Sequence, residues 1–270
     1  MRSVAKAAAV FRIAWMERLA FRVNFVLEVA SGILSAVIVV LVWMAVYRAA
    51  PRPLIGGYSL PEMVTYILGA GLVGSFILST ATNHETSASI QDGRLSLLLV
   101  QPLSPYWVWC ARDLAGKAFY LATGLAGYAV VAVFFRDLLV PPASALHLLL
   151  FTASLALATI LQFLLFQGAS LLAFWMENTF GVRFTLRVVL EVAGGALIPV
   201  TLFPPALQAI FLALPFPSMI YLPMRIYLGK AVPGEVLADF AVEVAWIAGF
   251  AALNRALWKR GMLRYASMGD

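Results

Sequence analysis

The 270-residue chain holds one cysteine, Cys110, and two histidines, His84 and His147. A single thiol closes no disulfide within the chain, and one Cys with two distant His supplies neither a thiolate zinc site nor a metal cluster. Charge is scarce as well: Asp, Glu, Lys and Arg make up 12% of the residues, against about a quarter in soluble domains. The phosphate-cradling pattern G-x-x-x-x-G-K-[ST] is missing, because Gly229-Lys230 is followed by Ala231 and has no matching upstream glycine. His84-Glu85 lacks the second histidine of a zinc protease, since Ala88 stands there, and no G-x-S-x-G nucleophile turn occurs. ATP hydrolysis, zinc proteolysis and serine-ester chemistry are therefore not expected of this polypeptide, and no cofactor is expected to bind it.

What the chain has in excess is apolar surface. Hydrophobic types reach 63%, well above the roughly 45–50% of soluble domains. A bilayer accepts such side chains on the outside of a helix bundle as well as the inside. The expected fold is an all-α membrane protein of about six transmembrane helices, with no large soluble domain. The net charge of +6 comes from 19 Lys and Arg scattered in short segments between apolar runs. That is a topology signal, not a nucleic-acid groove.

The basic segment 1–22 carries Arg2, Lys6, Arg12, Arg18 and Arg22 and sets Val4, Phe11, Trp15 and Leu19 near one helical face. It reads as an interfacial helix, although Ile13 and Met16 lie off the stripe and a plain basic pre-span segment stays open. Charge-poor runs of about 20 residues, enough for a roughly 30 Å hydrocarbon layer, then place spans near 23–47, 62–82, 112–135, 145–174, 186–203 and 236–257. The first is too long for a cleavable signal peptide. Between Glu191 and Arg225 there is no charge, but Pro199, Pro204, Pro205, Pro215, Pro217 and Pro223 forbid one straight helix. Short cytoplasmic segments are enriched in Lys and Arg. Six spans with the N-terminus inside put 14 of these cations inside and 5 outside (Arg48, Arg52, Arg136, Arg225 and Lys230). A seventh span would export the basic tail, so 199–234 is expected as an outer re-entrant helical hairpin. The organisation is then an interfacial helix over 1–22, a permease domain over 23–258 and a cytoplasmic tail over 259–270.

The segment 83–106 joins the second and third spans. Asp92-Gly93 is a turn signal, and Pro102 ends the helix that begins near Arg94, which is about two turns long and too short to span. Leu95, Leu98 and Leu99 give it an apolar face that lipid or a protein must cover. The sequence here resembles the permease subunits of type-2 ABC exporters, particularly their bacterial export-permease branch. The likeness is carried by Ile90, Asp92-Gly93-Arg94-Leu95, Leu98 and Gln101-Pro102-Leu103-Ser104, and extends to Gly195-Ala196-Leu197-Ile198-Pro199, Phe203-Pro204 and Leu214-Pro215-Phe216.

The resemblance implies a half-transporter without its own nucleotide-binding domain. A separate ATP-binding subunit on the cytoplasmic face would use ATP and Mg, and a second copy or a similar permease would complete a dimer. It also implies a coupling helix in the loop, with Ile90, Asp92, Gly93, Arg94, Leu95, Leu98, Gln101 and Pro102 as the ATPase-coupling residues. The expected location is the bacterial cytoplasmic membrane, with both termini inside and no nucleic-acid partner.

Ionisable groups within spans are costly and each needs a reason. Glu28 and Glu191 lie near cytoplasmic span ends, within reach of Arg22 and Arg187, as ion pairs or as pathway lining. Glu235, Asp239 and Glu243 recur every four residues on one face of the last span. Arg225 or Lys230 can serve the outer members and an interior contact Glu243. The small residues Gly69, Gly71, Gly74, Ser75 and Ser79 permit close helix approach, either within the chain or at a dimer seam. Two rival readings stay open: a proton-coupled secondary transporter using Glu191, Asp239 or Glu243, and a membrane assembly protein that transports nothing.

Overall fold

The computed structural model describes residues 2–19, 22–80 and 85–267. Eleven α-helices lie among them: α1 (Arg2–Leu19), α2 (Arg22–Ala49), α3 (Leu60–Leu78), α4 (Glu85–Gln91), α5 (Leu95–Leu99), α6 (Pro105–Phe135), α7 (Ala145–Leu171), α8 (Phe180–Ala193), α9 (Pro205–Ala213), α10 (Tyr221–Tyr227) and α11 (Pro233–Ser267). No strand occurs among the described residues. Five helices are long and apolar enough to cross a membrane, over Val26–Ala49, Leu60–Leu78, Pro105–Leu138, Ala145–Phe174 and Gly234–Ala266. His84 and the last residues of the expected 62–82 span lie outside the described residues, as does the side chain of Arg22.

The end of the bundle that carries α4 and α5 is termed proximal here, and the opposite end distal. Ser59 starts α3 at the distal end, where its backbone N–H donates to Glu62 Oε2 at 2.8 Å and satisfies a helix-start donor that would otherwise be orphaned. Lys230 Nζ closes the same corner, 2.9 Å from Glu62 Oε1 and donating to Gly57 O at 2.9 Å. The main core lies between α3, α7 and the segment 214–228. There Met63, Tyr66, Ile77, Leu161, Met219 and Ile220 are fully buried. By contrast, α2 buries little within the chain and turns Leu34, Ile38, Leu41 and Val42 outward, the pattern of a helix whose solvent is lipid.

One expectation changes. The span placed at 186–203 is not one helix: α8 has 14 residues and a length of roughly 21 Å, less than the hydrocarbon layer needs. It stops at Gly194, and Gly195 follows with φ +81°, a left-handed conformation that breaks the helix and suits glycine. The freed backbone is satisfied from other elements, as Tyr66 Oη donates to Gly195 O at 2.7 Å and Tyr221 N to Gly194 O at 3.0 Å. The helix expected from about Arg94 to Pro102 is also shorter. Gly93, at φ +73°, separates α4 from the five-residue α5.

Candidate functional site

The proximal end is organised around α4 and α5. Ile90 and Leu95 are buried in one cluster with Trp109, Leu171, Ala173 and Phe174, and Leu98 packs at its edge. The other face of α5 is bare: Leu97 is 65% exposed, Leu99 42% and Val100 83%. The expected coupling residues thus divide. Ile90 and Leu95 anchor the segment, whereas the outward apolar face belongs to Leu97, Leu99 and Val100, which the spacing argument assigned only in part. Asp92 and Arg94 stand at the exposed turn, 3.5 Å apart.

The segment is tied down from several directions. Gln91 Nε2 donates to Met176 O at 3.1 Å and Glu177 O at 2.7 Å, binding α4 to the connection after α7. Tyr265, near the end of α11, donates to Gly93 O at 2.9 Å. Lys6 Nζ of α1 reaches Pro102 O at 3.3 Å, and Gln101 N donates to Leu98 O at 3.3 Å to close α5. Trp258 packs edge-on to Trp109 and Phe174, at centroid distances of 5.9 and 6.0 Å. Close helix approach is needed here, since a Cβ on Gly261 would lie 2.1 Å from the Phe174 ring.

A family profile described as ABC-2 family transporter protein matches residues 24–269. The chain belongs to the ABC-2 transporter family. It is a multi-pass membrane permease of the ABC transporter class, as the sequence resemblance implied. No curated protein matches the chain significantly.

The ionisable residues of this permease fall into distinct settings. Arg187 Nε lies 3.0 Å from Glu191 Oε1, one of the two settings left open for Glu191. Arg225 serves the distal end of α11, 2.6 Å from Glu235 and 3.8 Å from Asp239. Glu243, one turn deeper, is fully buried, and among the described residues neither carboxylate oxygen has a hydrogen-bond partner. Glu28 lines a groove of about 600 Å³ between α2, α3 and α6, with Ser35, Leu68, Tyr120 and Tyr128, and Arg187 of α8 also lines it. Of the small residues on α3, Gly69 meets Met224 and Gly74 faces Ile220 within the chain, whereas Gly71 has open space beside it.

Sequence reasoning missed a polar knot in the span region of α6. Lys117 is fully buried, with its ammonium 2.6 Å from Asp113 Oδ2 and 2.5 Å from Gln162 Oε1 of α7. Thr80 Oγ1 donates to the second Asp113 oxygen. The signal was present in the i, i+4 spacing of Asp113 and Lys117 inside an apolar run, but Lys117 had been counted only as a topology cation. Nearby, Glu85 on α4 pairs with Arg112 at 2.8 Å. Burial pushes the Glu85 carboxyl above its ordinary range, and Arg112 pulls it back in part. Among the described residues no group of three or more His, Cys, Asp or Glu is arranged to hold a metal.

Proposed function

We propose that this chain is the membrane subunit of an ATP-driven exporter, coupled through α5 to a separate ATP-binding subunit that uses ATP and Mg on the cytoplasmic face of the bacterial membrane. The observation that carries this reading is the bare Leu97, Leu99 and Val100 face of α5 beside the exposed Asp92–Arg94 turn. A short, rigidly mounted apolar helix with flanking charges is a protein-docking element of the helix-in-groove kind. Its mounting on α1, α6, α11 and the α7–α8 connection gives any push on α5 a route into the spans.

In this reading the proximal end faces the cytoplasm, where both termini lie. The path from α8 through 194–202 completes a sixth crossing, because Leu202 approaches Gly56 at the distal end. α9 and α10 then form the outer re-entrant hairpin, with Tyr221 at the depth of Gly194. A second copy or a similar permease completes the dimer. The groove beside Glu28 and Arg187 has a volume within the roughly 300–1,000 Å³ of ligand sites and offers space for cargo.

Co-purification from detergent tests the reading. An ATP-binding subunit retained by the native chain should be lost from a Leu97→Asp/Val100→Asp variant that still elutes as a folded protein. Unchanged retention in that variant would overturn the docking face. Transport in vesicles that hold this chain and no nucleotide-hydrolysing subunit would overturn the function itself and favour a proton-coupled carrier.

A further inference from the structure

Behind α4, at the proximal end, a small cavity of about 30 Å³ lies between α3, α4, α6 and α7, lined in part by Thr80, Glu85, Thr86, Trp109, Asp113 and Gln167. Trp109 and Gln167 are more than nine-tenths buried, yet the indole Nε1–H of Trp109 and the Nε2 amide of Gln167 meet no acceptor among the described residues. The Gln167 oxygen accepts from Thr86 Oγ1 at 3.2 Å, which leaves the amide nitrogen as the free end. Buried donors left in this way are rare, because an unmade hydrogen bond carries the full desolvation penalty of the group.

The geometry points to an ordered water in this cavity, accepting from Trp109 and Gln167 and joining α4 to α6 and α7. The wall's chemistry selects among ligands. An anion would face the carboxylates of Asp113 and Glu85. A cation would face two N–H donors, and both carboxylates are already compensated, Asp113 by Lys117 and Glu85 by Arg112. A neutral molecule that both accepts and donates fits, and a cavity needs roughly 10–15 Å³ of this kind of space to take one water. Thr80 and Thr86, whose hydroxyls donate to Asp113 and Gln167, belong to the same wall.

The placement gives the water a mechanical role, which rests on the proposed coupling to an ATPase. α4 runs straight into the Asp92–Arg94 turn and α5, so the unit that would receive the push is seated partly on a hydrated joint. A water-mediated contact keeps its hydrogen bonds while the partners shift, unlike a close-packed apolar seam. This lets α4 tilt without the cluster around Leu95 coming apart.

The test is a high-resolution map of the full chain in lipid nanodiscs, alone and with its ATP-binding partner. One solvent density within hydrogen-bond distance of Trp109 Nε1 and Gln167 Nε2 is expected. A dry cavity in a map that resolves other buried waters would overturn the inference. So would density about 2.3–2.6 Å from carboxylate oxygens, the range of a hard cation. Gln167→Met removes one donor at similar volume, and Trp109→Phe serves as the second variant. Each should lose the density and lower transport per ATP hydrolysed while still retaining the ATP-binding subunit. Unchanged density and unchanged stoichiometry in both variants would also overturn it. Failure of the native chain to retain an ATPase would sink the proposed function and leave the nanodisc map as an intact test of the water.

Discussion

Tyr265 Oη donates to the carbonyl of Gly93 at 2.9 Å and lies 3.0 Å from Ser96 Oγ, so the far end of α11 holds the turn between α4 and α5. The contact joins residues 172 positions apart in the chain, and the helix that makes it begins at the opposite end of the bundle. Tyr265→Phe keeps the ring that packs on Phe174 and deletes only the hydroxyl. The expected loss is about 1 kcal/mol, the net worth of such a hydrogen bond. Amide hydrogen exchange should accelerate across Asp92–Leu98 and stay unchanged in α3 and α7. Uniform acceleration would mean that the phenol supports the whole bundle instead of this turn.

The two faces of α5 predict opposite behaviour for neighbouring leucines. Leu95 is fully buried against the aromatic cluster, and truncation of such a side chain to alanine costs about 2–5 kcal/mol through lost burial and the remaining cavity. Leu97→Ala, on the open face, should lie within about 0.5 kcal/mol of the native chain. Thermal unfolding in one detergent, followed by helical circular dichroism, separates them. Similar destabilisation of both would mean that Leu97 is covered.

Lys117, Asp113 and Gln162 should behave as a unit. Removing one partner of a buried ion pair leaves an uncompensated charge and costs about 3–5 kcal/mol. Lys117→Met is therefore expected to be strongly destabilising, since among the described residues Asp113 keeps only Thr80 as a donor. The double variant Lys117→Met/Asp113→Leu removes both charges and should recover a large part of that loss. An additive double-mutant cycle would show that the pair is not coupled.

These cases mark what the residue order made legible. Long charge-poor runs and their flanking cations are local properties, so the five long helices and the loop between α3 and α6 could be read directly. The short helical segment proposed for docking was marked by Asp92, Gly93 and Pro102 for the same reason. Which side of α5 faces inward depends on Trp109, Phe174 and Tyr265, which come from three separate places in the chain, and no spacing rule brings them together. The knot around Lys117 stayed hidden because a cation near a span end and a cation inside a polar knot look alike until Gln162 is seen opposite. The break in α8 was signalled by Gly194-Gly195 and Pro199, but where the chain goes afterwards depends on Tyr66 and Tyr221.

Gly195 tests that break. Its φ of +81° disfavours any Cβ, and an added methyl would lie 2.8 Å from Tyr66 Oη and 3.1 Å from Tyr221 Cβ. Strain in a left-handed residue is about 1–2 kcal/mol. Displacing the Tyr66 hydroxyl from Gly195 O adds the loss of a buried hydrogen bond. Gly195→Ala should thus destabilise by more than Tyr66→Phe alone, measured by unfolding in the same detergent. Equal effects would mean that the backbone relaxes without strain.

Glu85 offers a pH-dependent check on how α4 is seated. Its carboxylate pairs with Arg112 at 2.8 Å, but burial raises its proton affinity by more than Arg112 lowers it. The folded chain therefore holds this proton more tightly than the unfolded chain does. The resulting stability is complete below the unfolded-state value, fades as pH rises through the higher folded-state value, and is constant beyond. Glu85→Gln removes this titration, so the melting temperature of the native chain should fall relative to that of the variant between the unfolded-state and folded-state values and run parallel to it above them. Arg112→Met removes the opposing attraction and should extend the window to higher pH. If the native and Glu85→Gln curves run parallel throughout, Glu85 titrates alike in both states and α4 leaves it open to water.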